Sequence, residues 1–373
     1  MGTELKSKTE RPTIPQAAYA GSIEAIPYDP ELDAVWDQLV ARSRNGCFKH
    51  TRRFLAYHGN RFRDRSLIFS CDGKPVAAIA LHEDNEEWVS HRGLPFGGLI
   101  ASPELTAAQT FSIFSEIERR MRAAGIYALR YTPTPQVYHT HPFEDDVFVL
   151  HGRGARVDAM KLSARARLPG LTLMQERMRK YLRQAVPQIT VDHDVGLEEF
   201  WGRLTAYLEW RHEAMPTHSY HEIADLMLRF PENIKLLAIR GGDGRIVAGS
   251  LLFLTQHVIR LQYGFGGADP ASPKCAVLAL DAAAIERYGK GRDWIDFGTS
   301  MSPLDGTLDL RLHSQKERSG ARGMRVETWL WKIERNEPDQ DVGNYGAVTP
   351  LIAPFTFHDL SVAAEFVPQL LML

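Results

Sequence analysis

The chain has 373 residues, a formal net charge of −2, and 44% hydrophobic against 24% charged residues, an ordinary globular balance long enough for two domains. A near-neutral chain has no overall field to recruit nucleic acid, and its apolar runs fall short of the ~18 residues that cross a bilayer. Cys47, Cys71 and Cys275 form no CxxC pair, and so sparse a set, with no signal peptide, leads to the expectation of a reducing, cytoplasmic setting.

Residues 1–20 are polar, contain prolines and show no apolar period, so a mobile arm is expected there. A helix over 31–44 is opened by Pro30 and closed by the Asn45-Gly46 turn. Next, SLIFSCDGKPVAAIALHE (66–83) reads as two strands joined at Gly73, and EWVSH as a third. A Gly-rich loop, Gly93 to Gly98, is followed by Phe111, Phe114, Ile117 and Met121 at helical spacing, then by the strand IYALRYT. Residues 145–168 read as a further strand pair. The breaker Pro169-Gly170 divides a first domain (21–170) from a second (171–335), which a helix over 172–185 would connect.

The second half repeats the first. A helix over 196–212, stopped by Pro216, leads to KLLAIRGGDGRIVAGSLLFL (235–254), to HVIRLQY, to the loop GFGG (264–267) and to a helix restarting near Pro273, with Val277, Leu278, Ile285 and Tyr288 on one face. The strand WIDFG closes the unit. The turn glycines Gly73 and Gly244 lie 171 residues apart, and Gly125 and Gly291 lie 166 apart, so one α/β unit is written twice. Beyond it, 336–373 is a polar stretch and then an apolar tail, which either packs on its own domain or forms a homodimer contact.

Three constellations carry chemistry. The strand-to-helix turn after GFGG is suited to an anion, because a helix start has unpaired N–H groups; the matching loop of the first half contains Pro95, which removes a donor. His212, His218 and His221 lie close in sequence, but nothing nearby completes a zinc site, so no metal is expected. His218 suits proton removal from an amine near neutral pH, while the same segment also reads as a cap, with Thr217 or Ser219 supported by Glu222. Asp296 sits in an apolar strand and needs a partner, either a substrate or an ion pair with Lys316 or Arg311. There is no Walker loop, GxGxxG fingerprint, GxSxG elbow or HExxH pair.

Taken together, SerLeuIlePhe with GlyLysProValAla (66–77), SerHisArgGlyLeuProPheGlyGlyLeuIle (90–100), TyrHisThrHisProPheGluAspAsp (138–146), ProThrHisSerTyrHisGluIle (216–223), PheProGluAsnIleLysLeu (230–236), GlnTyr (262–263), AspPheGlyThrSer (296–300) and GlnLysGluArgSerGlyAlaArg (315–322) resemble the tandem-GNAT, FemAB-like N-acyltransferases of bacterial surface-polysaccharide synthesis. The resemblance spans about 30–335. It implies an α/β (α+β) fold of two tandem GNAT-type domains, each a mixed, mostly antiparallel sheet flanked by helices. The implied reaction moves an acyl group from acyl-CoA, without a metal, to the amine of a nucleotide-linked amino sugar.

On this resemblance His218 is the base, oriented by Glu222 or Asp296, with Tyr263 or a backbone N–H of the loop near the thioester. Gln262, Tyr263, Gly264, Ser272, Lys274, Cys275 and Ala276 would hold the donor. Ser90, His91, Tyr138, His139, Ser300 and Lys316 would contact the acceptor. Residues 270–276 (ProAlaSerProLysCysAla) lack the glycines of the usual acyl-CoA loop. That departure keeps open an aminoacyl-tRNA donor, as in FemAB-type relatives, and a non-catalytic binding protein.

Overall fold

A computed structural model describes residues 22–168, 189–266, 276–302 and 306–335. The chain enters on β1 (Ile23–Pro27), and a Pro30 turn leads into α1 (Asp33–Arg42), which buries Trp36, Leu39 and Val40. A 3-10 turn at Phe48–His50 and the short α2 (Arg52–Leu55), capped by Thr51, precede β2 (Arg63–Asp64). β3 (Leu67–Cys71) and β4 (Lys74–Ile79) form the expected hairpin, with Gly73 supplying the positive φ of 76° that the turn requires. β5 (His82–Asp84), β6 (Glu87–Val89) and β7 (Leu99–Ala101) follow. A reciprocal Thr106–Gln109 capping box opens α3 (Ala107–Ala123), which lays Ile113, Phe114, Ile117 and Met121 on the sheet before β8 (Ala128–Tyr131).

Two expectations for this half are corrected. The Gly93–Gly98 loop leads into β7, not into a helix, because Leu99–Ala101 pairs with Ala77–Ile79. Residues 145–168 are the helix α4 (Asp145–Gly152) and one long strand, β9 (Arg156–Arg167), not a strand pair. Asp145 and Asp146 favour a helix N-terminus, and Gly154 at φ 83° ends the turn that follows.

The second half runs β10 (Ile189–Asp192), α5 (Leu197–His212), α6 (Tyr220–Arg229), β11 (Ile234–Gly241), β12 (Ile246–Leu254), β13 (Val258–Gly266), α7 (Ala276–Tyr288), β14 (Trp294–Thr299), α8 (Leu310–Arg318) and β15 (Arg322–Lys332). The expected arm at 1–20, the helix at 172–185 and the tail at 336–373 lie outside the described residues.

A four-stranded sheet has the order β1-β3-β4-β7, and an eleven-stranded one the order β10-β11-β12-β13-β14-β9-β15-β8-β6-β5-β2. Pairing is antiparallel except for one parallel pair in each half, β6 with β8 and β13 with β14. The larger sheet is continuous because the halves exchange their last strands. β9, from the first, pairs with β14 of the second, and β15, from the second, pairs with β8 of the first. β9 and β15 also pair with each other along most of their lengths. An apolar core fastens the same join: Trp36, Phe54 and Ile68 of the first half pack in one cluster with Phe200, Leu226 and Phe253 of the second.

Candidate active site

Parallel strands β13 and β14 pair only as far as Arg260 opposite Asp296. Beyond that point they part, forming a fork with β13 on one side and Gly298–Ser300 on the other. β13 also carries a bulge: Leu251 faces Tyr263 and Leu252 faces Leu261, so Gln262 is the extra residue. In a regular strand Arg260 and Tyr263 would point to opposite faces. The bulge puts both on the face they share with Phe253 and Leu251, while Leu261 turns toward α7.

The corresponding fork of the first half is filled by its own chain. Past Val89 opposite Arg130, the Ser90 N–H donates to Arg130 O and the Gly97 N–H to Thr132 O, while Thr134 Oγ1 donates to Gly97 O. A Cβ on Gly97 would lie 2.5 Å from Ser90 O, so only glycine allows this close approach. Residues 90–98 are therefore a plug.

Asp296, 1% exposed, is the hub at the apex of the open fork. It accepts from Arg260 Nη1 at 2.8 Å, Arg165 Nε at 3.1 Å, Tyr138 Oη at 2.7 Å, Ser163 Oγ at 2.9 Å and the Gly298 N–H at 2.8 Å. Burial alone would raise its pKa, but the Arg260 and Arg165 guanidiniums and these donors hold the carboxyl far below the usual range. Lys49 reaches the same centre from the Phe48–His50 turn. Its Nζ lies 4.0 Å from the centre of the Phe96 ring and 5.2 Å from that of Tyr138, and burial lowers its pKa to about 8. Lys316 on α8 donates to Gly298 O at 3.1 Å and Thr299 O at 2.8 Å, and burial likewise lowers it to about 8.

His218 occupies a second cluster on the same face of β13. Tyr263 Oη accepts the His218 backbone N–H at 3.1 Å, which leaves its own O–H to donate to His218 Nδ1 at 2.6 Å. In that tautomer the ring proton is on Nε2, which faces Tyr57 Oη at 3.2 Å. Burial lowers the His218 pKa to about 4, with the Glu222 charge acting in the opposite direction. Glu222 completes the Ser219 capping box and pairs with Arg61 at 2.5 Å. The segment 57–61 of the first half thus closes over His218 of the second.

Solved structures share this architecture at low sequence identity. FemX superimposes with a TM-score of 0.60 at 12% identity, over 83% of this chain and 97% of its own. The L-PGS structure from Bacillus licheniformis gives 0.51 at 13%, over 83% and 93%, and a tandem GNAT protein from the clavulanic acid biosynthesis pathway gives 0.50 at 11%, over 85% and 100%. The fold is that of the FemAB-like tandem-GNAT proteins. No protein-family model matches the sequence, and no curated protein does.

Within this tandem-GNAT fold the expected residues fall into separate places. Tyr263 and His218 meet, and Gln262 and Gly264 lie beside them on β13. Tyr138 bonds Asp296 and Lys316 bonds the Gly298 and Thr299 carbonyls beside it, while Ser300 is the buried residue that follows Thr299. Neither Glu222 nor Asp296 hydrogen-bonds to His218: the first caps α6 and the second serves the arginines. The ion-pair partners of Asp296 are Arg165 and Arg260, not Lys316 or Arg311. Ser90 Oγ accepts the Thr132 N–H, His91 is buried with His58, His82 and Phe62, and His139 Nε2 meets Thr134 O. Ala276 is a buried first residue of α7, while Ser272, Lys274 and Cys275 lie outside the described residues.

Four contributors escaped the sequence reading: Lys49, Tyr57, Arg165 and Arg260. Three of them had the signal that exposed Asp296, a polar group beside apolar neighbours: Arg260 within VIRLQY, Arg165 within ARARLP, Lys49 beside Cys47 and Phe48; Tyr57 had none. Among the described residues there is no cluster able to hold a metal ion, and no helix is long and apolar enough to cross a membrane.

Proposed function

We propose that this protein is an N-acyltransferase that moves an acyl group from acyl-CoA to the amine of an amino sugar carried on a nucleotide diphosphate. The observation that carries the reading is the open fork of the second half, with its bulged strand and the Tyr263–His218 pair, beside a first-half fork that its own chain fills. The edge of β13 beyond Arg260 offers backbone groups to which the amides of a pantetheine arm pair as an added strand. The thioester then lies near Gln262, Tyr263 and Gly264.

The amine nitrogen attacks the thioester carbonyl carbon, and the carbon–sulfur bond breaks as the tetrahedral intermediate collapses. Tyr263 Oη takes the amine proton while passing its own to His218 Nδ1, over the 2.6 Å contact. Burial keeps His218 neutral at pH 7, so Nδ1 can accept, and the Glu222 charge offsets part of the cost that burial places on the imidazolium. Run backward, the same relay delivers a proton to the departing thiolate.

The test is thermal stabilisation by acetyl-CoA and longer acyl-CoAs, since a ligand at about 100 times its Kd adds about 2.7 kcal/mol. A saturable shift followed by acyl transfer to an amino-sugar nucleotide supports the reading. A shift with charged tRNA alone would replace the donor, and no shift with either would leave a binding protein.

A further inference from the structure

Four basic side chains, Lys49, Arg165, Arg260 and Lys316, surround the ionised carboxylate of Asp296. Asp296 accepts from both arginines, Tyr138, Ser163 and Gly298, and from neither lysine. Lys316 is bound to two carbonyls. Lys49, 2% exposed, has no hydrogen-bond partner for Nζ among the described residues. Arg260 Nε, buried at this fork, is also without a partner among the described residues, as is the buried hydroxyl of Ser300, two positions past Gly298. Four cations share one carboxylate, a buried ammonium without a hydrogen bond is costly, and unmatched donors in one place are a polar site awaiting an acceptor of hydrogen bonds.

We propose that the apex of the fork is a buried subsite for an anionic oxygen group of the acceptor, a carboxylate or a phosphoryl, with Lys49 as the contact that decides its binding. Assignment to the acceptor rests on the acyl-transfer reading: a donor lying along the β13 edge reaches Gln262 before Arg260, which leaves the apex to the other reactant. Phe96, Tyr138 and Val258 pack in one apolar cluster beside Lys49, so the subsite would admit only one compact group. Phe96 belongs to the plug of the first half, which thus builds the acceptor wall of the second half's site.

The full chain is titrated with sodium phosphate and, separately, sodium acetate at constant ionic strength set with sodium chloride, and Tm is followed. At least one of the two anions is expected to raise Tm saturably by several degrees; phosphate alone points to a phosphoryl group and acetate alone to a carboxylate. Lys49→Met should weaken that effect at least about tenfold, as loss of a charge-assisted hydrogen bond does, while raising Tm in the absence of anion. Lys49→Gln is the second variant should Met fail to fold. Calorimetry in two buffers at alkaline pH needs no variant: binding should take up protons as the lysines, with pKa near 8, become charged. The proposal is overturned if neither anion exceeds chloride, if the Lys49 variants keep the full shift, or if no protons are taken up. None of these measurements contains CoA, so their failure leaves the acyl-transfer reading standing, whereas failure of that reading would remove the assignment to the acceptor and leave the anion site.

Discussion

Lowering the pH from 6 to 5 should cost this fold about 2.7 kcal/mol, and the size follows from the six groups that burial shifts most across that range. Burial lowers the pKa of His50 and His91 to about 3 and that of His82 and His218 to about 4. Unfolded histidines titrate near 6.5. Between about 4.5 and 6 the unfolded chain therefore binds four protons that the folded chain refuses, and acid favours unfolding. Asp146 and Asp281 act in the opposite sense, since burial raises both to about 7 against an unfolded value near 4. They hold two protons only when folded, and their contribution to stability is complete below the unfolded value and lost as pH rises through 7.

Four less two leaves a net difference of two protons, and each is worth about 1.36 kcal/mol per pH unit. That slope is steep against a typical total stability of about 5–15 kcal/mol. Urea unfolding followed by tryptophan fluorescence at pH 7, 6 and 5 measures it. Asp146→Asn or Asp281→Asn should steepen the loss to about three protons, roughly 4 kcal/mol per unit. Stability that stays level or rises between pH 6 and 5 would refute the reasoning.

Asp296→Asn should lower stability by about 3–5 kcal/mol in the same urea assay, because Arg165 and Arg260 stay buried without a counter-charge; a loss below about 1 kcal/mol would contradict the hub described for it. His218→Ala and Tyr263→Phe should each reduce kcat by about 10²–10⁴, and a His218 variant with unchanged kcat and pH profile would remove the relay. Lys316→Met is expected to raise the acceptor KM far more than the acyl-donor KM, and the reverse ordering would detach Lys316 from the acceptor.

The doubling was legible because it rests on local signals: turn glycines such as Gly73 and Gly244, and helical spacing such as Phe111 to Met121. What escaped was short or non-local. β7 has three residues, too few for a period, and its identity comes from its pairing with β4, whose Ala77–Ile79 lies well over a dozen positions earlier in the chain. The Gln262 bulge is visible only once β12 lies beside β13. Asp296 declared its need for a partner, but the partners come from positions 138, 163, 165 and 260, and only the assembled sheet selects them over Lys316 and Arg311. Lys49 is the strongest example, a residue of usually exposed type held beneath aromatic rings contributed from residues 96 and 138.

The exchange of β9 and β15 has a consequence for how such a chain can change. Severed between the halves, the first would carry a strand whose two neighbours are both elsewhere, and the second would leave its own closing strand without β8 and β9. Each fragment would display long unpaired edges, which invite aggregation. Co-expressed fragments should therefore be recovered together or not at all. Neither copy is free to be shuffled as an independent module, and a hinge at the join would have to tear the central ladder, so admission of substrate falls to loops at the fork.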